Sequence, residues 1–204
     1  EVRSVVTASV AELPPLPVLP VKLDAAKQHL KVEHGAEDGL ISLYIAAAAS
    51  RIAAMCGLSL TATRLRAAFD ASAIARAHEG GRIVLELPRP PLLQLVSTSF
   101  VREDASVLVV APSAIEIDPV TRPARIAIDA NVIAGENLRS RNALFVEYDA
   151  GFGNAAEDVP PALRQAVLLL TADAFERREP AAVPSPVAEQ QIWNLLSPFR
   201  QVRL

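Results

Sequence analysis

The chain has 204 residues, of which 51% are hydrophobic and 21% charged, and its formal net charge is -3 at pH 7. Such a length and apolar share describe a globular chain with a real core and argue against disorder or two fully independent domains. The acidic balance argues against a protein whose main work is gripping nucleic acid, because that grip comes from clustered Lys and Arg releasing counterions.

One cysteine, Cys56, rules out an internal disulfide and a cysteine-based zinc cage, and reads as a small buried hydrophobe near a helix end. No cationic segment followed by an unbroken apolar stretch opens the chain, and Pro14, Pro15, Pro17 and Pro20 interrupt the region. A chain that stays in the cytoplasm is therefore expected. The longest apolar stretch, residues 40–55, is broken by Ser42, Ser50 and Arg51 and reads as a buried helix of a soluble fold, with no membrane partner.

In chain order, residues 1–22 are expected to form an extended arm without regular hydrogen bonding, because residues 13–20 are proline-rich. Leu23, Ala26, Leu30 and Val32 predict a short helix with Asp24 in its first turn and Gly35 as its stop. A second helix is predicted from Asp38, on the stripe Ile41, Ile45, Ala48, Ile52 and Met55, ending at Gly57. Between about residues 61 and 148 the pattern changes to Val/Ile/Leu/Thr-rich segments separated by Gly, Pro, Asp and Asn. Strands are predicted at 64–69, 82–87, 93–101, 107–110, 114–117, 125–128 and 144–148. Alternation through Ile126 and Ile128 predicts a sheet with one face to solvent.

The strongest helix is predicted to start at Pro160 and Pro161, after the turn Gly151-Phe152-Gly153, with Leu163, Val167, Leu170 and Ala174 on one face. A proline-bearing linker then leads to a last helix over residues 186–196 with Ser185 as N-cap. The expected class is α+β: a mainly helical core of helix pair, long central helix and C-terminal helix, with an inserted antiparallel β region. Its parts are an arm (1–22), a domain (23–179) carrying the insertion (61–148), and a tail (180–204).

Little in the sequence points to catalysis. His29 and His34 stand five apart, about 140° around a helix, so one helix does not aim both at a metal. Glu33, Glu37 and Asp38 read as solvated helix ends. Gly151-Phe152-Gly153 lacks the third glycine of a dinucleotide fingerprint and the Gly-Lys-Ser/Thr of a P-loop, and reads as a turn. Glu103 with Asp104, and Glu157 with Asp158, read as solvated or capping carboxylates. The chain is expected not to be an enzyme and to need neither cofactor nor metal. A small cytoplasmic enzyme with an unrecognised site and a DNA-binding regulator remain the alternatives.

Several stretches, in order, resemble one family. They are Val21-Lys22-Leu23-Asp24-Ala25-Ala26-Lys27 with Glu37-Asp38-Gly39-Leu40-Ile41, then Leu87-Pro88-Arg89-Pro90-Pro91-Leu92, then Val146-Glu147-Tyr148-Asp149-Ala150-Gly151-Phe152-Gly153 with Val159-Pro160-Pro161-Ala162-Leu163. Phe175-Glu176-Arg177-Arg178-Glu179 and Leu195-Leu196-Ser197-Pro198-Phe199-Arg200 complete the set. Together they resemble the head-to-tail connector, or adaptor, family of tailed bacteriophages and gene transfer agents. Lys22 departs from the pattern, standing where the family often has a Ser or Thr cap.

The resemblance implies a structural subunit of a twelve-fold ring in the neck of a phage-like particle. Its implied partners are the portal protein, neighbouring copies and the next tail component (a stopper or tail terminator), with DNA passing through the channel without sequence-specific binding. Large aromatics often anchor interfaces, so the tail residues Ile192, Trp193, Leu196, Phe199 and Arg200 are the expected portal-binding set. Removing the chain beyond Glu179 is expected to abolish portal binding and leave the domain folded. Arg139 and Arg141, in a polar turn, read as surface residues available to DNA or to a neighbour.

Overall fold

Alanine-rich stretches near both ends fold as helices and the β-branched middle folds as strands, as propensity dictates. The computed structural model describes residues 8–14, 18–177 and 185–200. Much of the expected arm and linker, and the end of the tail, therefore lie outside the described residues. The described residues form two compact units: residues 8–14 with 63–151, and residues 18–62 with 152–177 and 185–200. The α+β class holds, with five α-helices and two antiparallel sheets among the described residues.

The helical unit is built from α1 (Leu23–Leu30), α2 (Asp38–Cys56), α4 (Pro161–Arg177) and α5 (Pro186–Leu196). α1 ends at Leu30, short of Gly35, because Lys31 takes the left-handed conformation at φ 57° and the Val32 N–H reaches back to the Lys27 carbonyl. Lys22 caps no helix N–H with its side chain, and its ammonium pairs with Glu157 instead. α2 stops where expected, at Gly57 with φ 66°.

α2 buries Ile41, Ile45, Ala48, Ile52 and Cys56, packing on α4, whose Leu163, Ala166, Val167, Leu170 and Ala174 are buried in the same core. Cys56 is buried as expected, and burial pushes its thiol pKa up while the charge of Arg200 pulls the other way. The burial of α2 is confined to this one stripe: 28% of its most apolar stretch is buried. By length and composition alone, with a mean hydropathy of 1.6, it is long and apolar enough to cross a membrane.

The β unit contains a five-stranded sheet in the order β1 (Ser9–Leu13), β2 (Thr63–Phe69), β9 (Leu144–Ala150), β5 (Leu92–Val101), β6 (Val107–Val109). A four-stranded sheet runs β3 (His78–Glu79), β4 (Arg82–Glu86), β8 (Arg125–Asp129), β7 (Ile115–Asp118). All pairings are antiparallel. The inward residues Leu65, Phe69, Phe100, Leu144 and Val146 of the first sheet share one core with Ile83, Leu85, Ile126 and Ile128 of the second. The short helix α3 (Ala71–Arg76) adds Ala73 and Ile74. One face of each sheet is thus buried, as the alternation predicts.

The stretch expected to lack regular hydrogen bonding contains β1, which pairs with β2 from Ser9↔Ala68 to Leu13↔Arg64. The physical reason is the long, regular β2, whose second edge needs a partner that any extended segment can supply.

The Gly151–Gly153 turn is structural. The Gly151 N–H donates to the Pro91 carbonyl at 2.9 Å, and the Gly153 carbonyl accepts from the Ala62 N–H at 2.7 Å. A Cβ on Gly153 would lie 2.2 Å from Asp158 Oδ2 and 2.6 Å from the Asp158 Cβ. That carboxylate is fixed by accepting the Ala155 N–H at 2.9 Å. Gly153→Ala is expected to cost about 1–3 kcal/mol, read as a lower urea midpoint. An unchanged midpoint would mean that the loop yields without strain.

Candidate docking surface

α5 starts at Pro186, a first-turn residue whose missing N–H costs nothing there, while Ser185 Oγ accepts the Ala188 N–H at 3.3 Å. A second tether comes from α4. The Asp173 carboxylate accepts the Ser185 N–H at 3.0 Å and lies 2.9 Å from the Arg177 guanidinium. Burial raises the Asp173 pKa, but the bonds from Ser185 and the charge of Arg177 more than offset it and hold the carboxyl below its usual range.

This anchoring divides the five expected docking residues. Ile192 is 1% exposed and Leu196 is fully buried, both inside the helical core with Leu163, Val167 and Leu170. They stand four apart on one helix face, and that face points inward. Trp193 is half-buried on the adjoining face, its indole N–H 3.4 Å from Glu189 Oε1. The exposed Arg200 stacks its guanidinium 4.2 Å from the Trp193 ring centroid, a cation-π contact. Phe199 meets Phe152 edge-on, ring centroids 6.4 Å apart. Of the five, Trp193, Phe199 and Arg200 thus reach the surface, while Ile192 and Leu196 lie beneath them in the core.

A cleft of about 260 Å³ also opens in this unit, lined by Val21, Lys22, Glu157, Arg164, Gln165 and Leu168 among others. The Lys22–Glu157 ion pair borders it, and no Ser, Cys, His or Asp lines it. His29, His34 and His78 are all exposed, and no group of three His, Cys, Asp or Glu poised for a metal occurs among the described residues. Of the carboxylates read as solvated or capping, Asp158 accepts the Ala155 N–H. Asp104 is held below its usual range by hydrogen bonds from Ser106, and Glu157 by its bond from Lys22.

Several arginines of the β unit pair with carboxylates of their own chain. Arg64 makes a bidentate pair with Asp149 at 2.7 and 2.9 Å, and Gln94 adds a 2.6 Å bond that helps keep the Asp149 pKa down. Arg66 sits on Glu147, Arg82 on Glu116, Arg102 on Glu136 and Arg125 on Glu86. Of the two arginines in the polar turn, Arg139 donates to the Asn142 carbonyl and covers the Phe145 ring, while Arg141 is exposed. Neutralised side chains of this kind make poor phosphate grips.

The helical core thus carries a small aromatic and basic surface over two buried side chains. Residues 20–84 match the family model described as "Phage gp6-like head-tail connector protein". The fold is similar over almost the whole chain to chains in three solved particles. One is the "Virion of native gene transfer agent (GTA) particle" (TM-score 0.71, 25% identity, covering 96% of this chain and 96% of that one). Another is the "Neck of empty GTA particle computed with C6 symmetry" (TM-score 0.72, 23% identity, 96% and 97%). The third is the "Neck of native GTA particle computed with C12 symmetry" (TM-score 0.65, 23% identity, 96% and 97%). No curated protein matches the chain. The resemblance to head-to-tail connectors thus holds in sequence over residues 20–84, and over nearly the full length the fold is similar to chains of gene transfer agent particles.

Proposed function

We propose that the chain is a structural connector subunit, one of twelve in a ring that joins the portal of a phage or gene transfer agent particle to the next tail component. The observation carrying this reading is the fold match to a chain of a native gene transfer agent virion, 25% identical over 96% of both chains, together with the connector match at residues 20–84. Necks of the same fold computed with C6 and C12 symmetry support the ring. The subunit is made in the cytoplasm and ends in the particle neck, where DNA passes its channel. A net charge of -3 and self-paired arginines suit a wall that DNA slides past. Crosslinking mass spectrometry on intact particles tests the placement, and finding the chain joined to neither portal nor tail protein overturns it.

Portal docking is assigned to Trp193, Phe199 and Arg200. Trp193→Ala and Arg200→Glu are each expected to weaken portal binding at least tenfold in a pull-down, which corresponds to about 1.4 kcal/mol. Because both side chains reach the surface, thermal stability should move little. Undiminished binding by the double variant would reassign the docking surface.

A further inference from the structure

The side of α2 turned away from the core has its own pattern. Leu40, Leu43, Ala47, Ser50 and Ala54 recur at three- and four-residue spacing, all exposed, with Leu43 at 63%. Not one of them is charged, whereas the free face of a core helix ordinarily carries Lys and Glu. The β unit has a second patch of the same chemistry. β6 is an outer strand with one side unpaired among the described residues, and its Val107 and Val109 are 58% and 71% exposed. At the opposite edge of that sheet, β1 places Glu12 in register with buried Leu65 and ties it to Arg89, a charge that discourages further pairing. β6 has no such guard.

We propose that these two patches are the two halves of one contact between copies, the α2 stripe of one subunit packing on the β6 edge of the next. This rests on the connector reading. Subunits related by cyclic symmetry meet head to tail through two different surfaces, and necks of this fold were computed with C6 and C12 symmetry. Chemistry selects the pair. Both patches are apolar and uncharged, the small residues Ala47, Ser50 and Ala54 admit close approach, and β6 adds valines and free backbone groups. A contact through unlike patches propagates around a ring, whereas a like-with-like contact would stop at a dimer.

Sedimentation velocity on the full chain tests this with Leu43→Glu and Val109→Glu, and with the milder Leu43→Ser and Val109→Ser should a glutamate variant lose its native circular dichroism. Wild type is expected to associate with rising concentration, and each variant to stay monomeric at tenfold higher concentration. Mixed one to one, the two variants should form a heterodimer and nothing larger, because each keeps the patch the other has lost. Wild-type behaviour by either variant, a mixture that stays monomeric, or a wild-type chain that never associates overturns the contact. So does wild-type binding to phosphatidylcholine vesicles that Leu43→Glu abolishes without self-association, which would give the stripe to lipid. Each of these failures leaves the connector reading standing, since portal binding and location in the particle decide that separately.

Discussion

Leu196→Ala and Ile192→Ala are each expected to destabilise the helical unit by about 2–5 kcal/mol, the usual cost of truncating a large aliphatic side chain in a packed core. Both side chains are essentially inaccessible and lie against α4, which packs on α2 in turn. Trp193 is the chain's only tryptophan and sits on α5, so its fluorescence through a urea titration reads this unit. Far-UV circular dichroism follows both units at once, and the two probes need not coincide. The same burial bears on the truncation after Glu179. Removing residues 180–204 strips two core side chains from α4, so lost portal binding by the shortened chain would report a damaged core as much as a missing contact. Point variants at Trp193 and Arg200 separate the two causes. Wild-type midpoints for Leu196→Ala and Ile192→Ala would show that α5 is only loosely seated.

The strands of the insertion were readable because each is a short run of β-branched or aliphatic residues ended by Gly, Pro or Asp, and the seven expected runs appear within about two residues of their places. What was not readable depended on partners. Ser9–Leu13 has no alternation that declares a strand, and only the edge of β2 makes it one. Gly80 and Gly81, at φ 58° and 80°, close the β3–β4 hairpin, and this two-glycine turn was a local signal that sequence reading passed over. At the docking surface, the spacing of Ile192 and Leu196 already placed them on one face, but which face turns inward is fixed by α4 and by the Asp173–Ser185 tether twelve residues apart. The Arg200–Trp193 stack joins a helix to the segment after it and leaves no periodic trace.

Raising the pH above about 10 is expected to destabilise the β unit through Tyr148. This side chain is 1% exposed in β9 and donates its hydroxyl to the Pro88 carbonyl at 2.7 Å. Burial pushes its pKa far above 10, with the charge of Arg89 pulling weakly the other way. The folded pKa is therefore the raised one, so its contribution is fully present below the unfolded value and is lost as the pH climbs from there towards the folded value. Each pH unit in that window costs about 1.4 kcal/mol. Tyr148→Phe is expected to cost about 1–3 kcal/mol at pH 8, because the Pro88 carbonyl loses its donor, and to flatten the alkaline decline. Urea midpoints at pH 8, 10 and 11.5 for wild type, Tyr148→Phe and a Tyr44→Phe control in the other unit measure both effects, and an equal alkaline slope in Tyr148→Phe refutes the assignment. A physical reason for one quoted motif follows from the same bond. Leu87-Pro88-Arg89-Pro90-Pro91-Leu92 links β4 of one sheet to β5 of the other, and Tyr148, from the third quoted stretch, clasps that link from inside the core. Two separated pieces of the family pattern are thus one structural joint, which couples the two sheets and needs no ligand to explain it.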